Sequence, residues 1–220
     1  MEQRFVAFVS AIALCIAGAA FTPASSMAQD PILFVHGWSE SASLWNTMIS
    51  RFEKDGYPKS YLSAYSYNTS QSNKVDAELV KTEVEKLLKT TKASKVDIIG
   101  HSMGSLNTRW YVKFLGGESK VDDWVSLGGP NHGTETANFC FSASCVEMRI
   151  GSTFLKELNE GDETPGTVNY GTWWSPCDEI INPDSSVPLT GATNTETACM
   201  SHTALTTDET VYAQVREFVK

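Results

Sequence analysis

Gly100-His101-Ser102-Met103-Gly104 is the segment of this 220-residue chain whose residue types most directly suggest chemistry. A serine hydroxyl is a poor nucleophile until a base takes its proton, so it must stand clear of the backbone within reach of a histidine. The Gly-x-Ser-x-Gly spacing meets the first need: the serine sits on a strained turn between a strand and a helix, and the small glycines let the two pass closely. A helix beginning after Ser102 also aims free N–H groups and its positive dipole end at any oxyanion formed there. The bare pattern arises by chance in on the order of several per cent of chains of this length. Its weight comes from context, a β run over residues 96–99 before it and a helix-period run after it.

In serine sites of this kind the acid and then the base follow the nucleophile along the chain. Only His132 and His202 lie downstream of Ser102. His132 would have to draw its acid from Asp122 or Asp123, at the start of an expected strand and on the wrong edge of the sheet for a loop partner. His202 sits in a Ser/Thr-rich loop before the last helix, with Asp178 upstream, and is the expected base; His132 and His36 read as structural. For the acid, Asp178 competes with Glu179, Asp184 and Asp162. An oxyanion needs two main-chain donors, the N–H after the nucleophile at Met103 and one from the loop after the first strand. His36-Gly37-Trp38 occupies that loop, and Gly37 lets the backbone turn inward, which points to the Trp38 N–H; a core aromatic is the plainer reading of Trp38.

These residues meet only if regular elements carry them to one end of a sheet. Residues 31–35 are a short apolar run ending at His36-Gly37, and Leu44, Trp45, Met48, Ile49 and Phe52 have helical spacing within 41–52. Residues 61–67 are aromatic-rich and read as a strand. Val75, Leu79, Val84, Leu87 and Leu88 outline an amphipathic helix with Asn73 as its cap. Residues 95–99 form a buried strand that runs into the serine turn, and Leu106, Trp110, Tyr111 and Phe114 continue as a helix that stops at Gly116-Gly117. A fourth strand covers 121–127. Beyond Asn131 the pattern weakens to a short helix over 153–158, strands near 167–170 and 187–189, and a closing helix over 208–219. Alternating strands and helices imply parallel βαβ units with both sheet faces covered, so the fold class is α/β. A chain with 41% hydrophobic residues and this length buries one sizeable core. The expectation is one catalytic domain over residues 29–220.

Ahead of that domain, Arg4 precedes an uncharged apolar run over residues 5–21, and Ser26 and Ala28 supply the small residues a signal peptidase reads. Residues 1–28 are expected to be a signal peptide cut before Gln29, the alternative being an uncleaved anchor. Cys15 lies within the apolar run after Leu14, where a lipidation signal would need a small residue. Cys140, Cys145, Cys177 and Cys199 remain, and an even count in an exported chain suggests disulfides more than a metal site, with no Cys-x-x-Cys pair or His cluster to compete. Three pairings are possible. Cys140 with Cys145 and Cys177 with Cys199 is favoured, because Cys177 abuts Asp178 and Cys199 lies just before His202, so one bond would tie the acid loop to the base loop. The formal charge of −9 argues against nucleic acid and anionic membranes as partners.

Val35-His36-Gly37-Trp38, the serine pentapeptide, Leu127-Gly128-Gly129-Pro130-Asn131-His132-Gly133-Thr134, and the neighbourhoods of Cys177-Asp178 and of Cys199 to His202 together resemble the small secreted bacterial lipases called class 2 lipases, in the α/β-hydrolase superfamily. The resemblance runs from about Pro31 to the end. It implies triacylglycerol lipase or carboxylesterase activity, no cofactor, a minimal sheet with little or no lid, and a triad at Ser102, Asp178 and His202. Met200-Ser201-His202 departs from it, since many relatives have Gly or Asp before the base. The expected partner is an ester lipid, at a lipid–water interface, met by a secreted monomer without a stable membrane anchor. The rival readings are a short-chain esterase, polyester hydrolase or acyltransferase with the same triad, and a non-catalytic binding module. Residues 134–165, with Phe139 and Phe141, could line the acyl cleft or form a disulfide-stapled surface excursion.

Overall fold

A computed structural model describes residues 1–3 and 29–219, so most of the expected signal peptide lies outside the described residues. Six parallel strands form one sheet: β1 (Ile32–Val35), β2 (Leu62–Ala64), β3 (Val96–His101), β4 (Val121–Leu127), β5 (Asn169–Trp174) and β6 (Thr193–Glu196), in the order β2-β1-β3-β4-β5-β6. Strand side chains alternate between faces, and β1 shows the result. Leu33 and Val35 enter one buried cluster; Ile32 and Phe34 enter the other. The first cluster is closed by α2 (Asn73–Thr91) and α3 (Met103–Phe114), with α4 (Ala143–Met148) and α5 (Thr153–Asn159) at its rim. The second is closed by α1 (Asn46–Lys54) and α6 (Glu209–Phe218).

The chain goes from β1 to β2 on one side and then returns to lay β3 on the other side of β1. Loops leaving the C-terminal ends of β1 and β3 therefore diverge and leave a crevice, the place where open α/β sheets hold ligands. The loop after β1 and the turn at Ser102 flank it.

Several elements differ from expectation, each for a local reason. Within 61–67 only Leu62–Ala64 pairs with β1; Tyr67 leaves the ladder to stack its ring 4.3 Å from that of His36. Ser72, not Asn73, caps α2, its hydroxyl accepting the Lys74 N–H, while the Asn73 N–H is taken by Glu147. Residues 187–189 form no strand: Val187 closes a 3₁₀ turn over Asp184–Ser186, and Val187 and Leu189 are buried as loop plugs. The sixth strand is Thr193–Glu196, whose Thr-Asn-Thr-Glu sequence carries no apolar alternation because it lies at the sheet edge.

Candidate active site

Ser102 has φ 54° and ψ −128°, a conformation a side-chain-bearing residue adopts only under constraint. Two glycines create that constraint. A Cβ on Gly104 would lie 2.3 Å from the Val35 carbonyl oxygen, so only glycine lets the first turn of α3 slide against the end of β1. A Cβ on Gly37 would lie 2.7 Å from Ser102 Cβ, so the loop after β1 runs directly past the serine. The Ser102 N–H is held by the Leu127 carbonyl, the last residue of β4, at 2.9 Å.

Gly37 donates its N–H to Glu40 Oε2 at 2.7 Å. Neither the Trp38 nor the Met103 N–H has a partner among the described residues, so both main-chain donors flanking Ser102 are free to bind an oxyanion.

On the other side, His202 Nδ1 donates to Asp178 Oδ2 at 2.7 Å. Asp178 Oδ1 accepts the N–H groups of Ile180 and Ile181, each at 2.9 Å, so both carboxylate oxygens are used. Burial pushes the Asp178 carboxyl up, but the His202 bond and charge and these two N–H groups outweigh it and hold Asp178 below its ordinary value. His202 is nearly fully buried, and its Nε2 has no partner among the described residues. Burial, then the neighbouring His101 charge, lowers His202 below the ordinary imidazole value, against the opposing pull of Asp178. A neutral ring bonded through Nδ1–H presents Nε2 as a bare lone pair, which is the form a general base requires.

Ser102 and His202 both line a cavity of about 380 Å³ whose other walls include Trp38, Phe139, Met148 and Ile180. No hydrogen bond joins the Ser102 hydroxyl to Nε2, a contact that in unliganded sites tightens only when substrate is bound. The rival acids are engaged elsewhere. Glu179 accepts the His202 main-chain N–H at 3.0 Å, Asp184 accepts the Ser185 N–H in its own turn, and Asp162 caps Thr164. Asp122 pairs with Lys95 at the opposite end of the sheet from the cavity. His132 bonds Ser186 and Glu163 and does not line the cavity, and buried His36 bonds the Gly37 carbonyl.

Disulfides join Cys140 to Cys145 and Cys177 to Cys199. The second links the acid loop to the base loop beside a buried hub, Ser175. The Ser175 hydroxyl donates to the Met200 carbonyl at 2.7 Å and accepts the N–H groups of Met200 and Cys177. In the segment around the first disulfide Phe139 and Phe141 are both largely exposed, at 85% and 83%, and of the two Phe139 borders the cavity. Sequence reading missed two members of the site, Glu40 and His101. The signal that could have found Glu40 is an acid three residues after the glycine of the oxyanion loop.

Several solved structures share this architecture. The Bacillus licheniformis lipase BlEst2 in its mature form aligns over 88% of this chain and 93% of its own, with a TM-score of 0.78 at 16% identity. Lipase B of Aspergillus fumigatus aligns over 85% of this chain and 51% of its own, with a TM-score of 0.71 at 18% identity. A phospholipase, PlaB of Legionella pneumophila, aligns over 87% and 59%, with a TM-score of 0.71 at 14% identity. At these identities the likeness is one of fold. The class 2 lipase family model matches residues 29–217, the whole span that builds the sheet, the serine turn and the Asp178–His202 pair, and this chain therefore belongs to the class 2 lipase family.

Proposed function

We propose that the chain is a secreted serine hydrolase that cleaves carboxylic esters of lipids through a covalent acyl-enzyme. Neutral His202 takes the proton of Ser102 as the hydroxyl oxygen attacks the ester carbonyl carbon, and Asp178 stabilises the imidazolium that forms. The Trp38 and Met103 N–H groups bind the oxygen that becomes anionic. His202 then gives its proton to the departing alkoxide, so alcohol leaves and the acyl group stays on Ser102. Water, deprotonated by the same nitrogen, attacks the acyl-enzyme and releases the carboxylic acid. The acyl chain lies along Trp38, Phe139, Met148 and Ile180, which line the same cavity as Ser102.

The observation that carries this reading is the 2.7 Å bond between Asp178 and His202, which leaves Nε2 unpartnered at the cavity that Ser102 lines. Export, with removal of residues 1–28, fits a chain with two disulfides, which persist in oxidising compartments. A fluorophosphonate probe should label Ser102, and Ser102→Ala should abolish both labelling and ester hydrolysis while the circular dichroism spectrum stays unchanged. Near-normal hydrolysis by Ser102→Ala would exclude the assignment. Rates on short soluble esters against long emulsified ones separate lipase from esterase.

A further inference from the structure

Beneath the nucleophile lies a pair of ionisable side chains that the proton transfers of Ser102, His202 and Asp178 do not use. His101 is fully buried. Its Nδ1 lies 2.9 Å from Glu40 Oε2 and its Nε2 lies 3.2 Å from the main-chain carbonyl oxygen of His202. A carbonyl oxygen can only accept a hydrogen bond, and so can a carboxylate. Glu40 is ionised: burial pushes its carboxyl up, but the His101 bond and charge and the Gly37 N–H together hold it below its ordinary value. Both ring nitrogens of His101 thus face hydrogen-bond acceptors, an arrangement that a ring carrying hydrogen on both would satisfy.

The same Glu40 oxygen that faces His101 also accepts the Gly37 N–H. One carboxylate thus fastens the loop that carries the Trp38 N–H, and the ring it holds reaches the backbone of His202. We propose that Glu40 and His101 form a buried ion pair that positions the reaction centre, tying the oxyanion loop at Gly37 to the base loop at His202 underneath the serine turn. The pair rests on the assignment of Ser102 and His202 as nucleophile and base, and both members act through other groups and not on the reacting atoms.

A second effect follows from charge. The His101 and His202 rings are 4.5 Å apart, and a fixed positive charge on one disfavours a second on the other, so the pair keeps the base neutral to lower pH. The groups facing His101 are Glu40 from the loop after β1, His36 at the end of β1, His202 from the loop before α6, and the uncharged edge of Trp45. His202 additionally faces Asp178, and Glu179 through its N–H.

Histidine-selective two-bond ¹H–¹⁵N spectra of the wild-type protein read the pair without any assay of activity. At neutral pH, His101 should show two protonated nitrogens while His202 shows one bare nitrogen; a bare nitrogen on His101 overturns the ion pair. With a soluble p-nitrophenyl ester, Glu40→Gln and His101→Gln should each lower kcat by about 10- to 100-fold with KM held within roughly twofold, the pattern of lost positioning. The double variant should lose less than the product of the two single losses, since each single variant already breaks the bond the two residues share. Additive losses, or a raised KM with unchanged kcat, overturn the positioning role. His101→Gln should also move the acid limb of kcat/KM to higher pH, because a cation is removed and the Glu40 anion stays; an unmoved limb overturns the electrostatic part. If His101→Gln fails to fold, the wild-type spectrum and Glu40→Gln decide the proposal. Failure of the wild type to react with a fluorophosphonate would instead refute the catalytic reading, leaving the nitrogen spectrum to judge the pair.

Discussion

Ser102 stands where β3 passes into α3, between backbones that touch, whereas Asp178 and His202 stand in loops beyond β5 and β6 that are joined by side chains and one disulfide. In the first region position follows from the close approach of Gly104 to β1 and from the pairing of β3 with β4. In the second it follows from the Ser175 hub, the Cys177–Cys199 bond and the two N–H groups that orient Asp178. The contrast teaches that a strained serine turn needs rigid regular elements, while the acid and base proposed for it can be positioned by cross-linked loops.

The largest expected effect tests the loop region at its chemical end. Asp178→Asn keeps the shape but presents an amide to Nδ1, and steady-state kinetics should show kcat lower by about 10⁴-fold with the fold intact. Next come two substitutions that set the regions against each other. Breaking the disulfide as Cys177→Ser with Cys199→Ser should cost about 3 kcal/mol in denaturant unfolding, from the chain freedom restored to the unfolded state. Fluorophosphonate labelling should slow while the near-native circular dichroism spectrum remains. Gly104→Ala, whose Cβ meets the Val35 carbonyl, should also cost about 3 kcal/mol, but it should displace Ser102 and the oxyanion loop together. If the disulfide variant distorted the sheet, or Gly104→Ala were neutral, the division between the regions would fail.

Smaller effects sharpen it. Ser175→Ala leaves a buried carbonyl and two N–H groups without their shared partner, and should cost about 1–3 kcal/mol with a moderate fall in kcat. The smallest is a shift in pH dependence. In the proposed mechanism neutral His202 is the active form, and with its pKa lowered the acid limb of kcat/KM should fall below the ordinary imidazole range. A limb at or above that range would contradict the environment described for the base.

The first region is the more legible in sequence, because its signals are local. A β run, two glycines around a serine and a helical period lie within about twenty consecutive residues, and backbone geometry alone makes them a strand, a turn and a helix. The second region is less legible. The polar edge strand Thr193–Glu196 has no apolar alternation, and the apolar pair Val187 and Leu189 imitates a strand while plugging a loop. Burial in loops and pairing at an edge are tertiary events that leave no periodic trace.

Sequence by itself determined the α/β class, the place of Ser102 and the two histidines that could follow it, since these depend on hydrophobic period, turn chemistry and chain order. Which carboxylate meets His202, that Glu40 grips both Gly37 and His101, and that Phe139 and not Phe141 borders the cavity were settled by tertiary packing alone. Such contacts join residues far apart in the chain, and their geometry is set by how the whole sheet is covered, which no local pattern encodes.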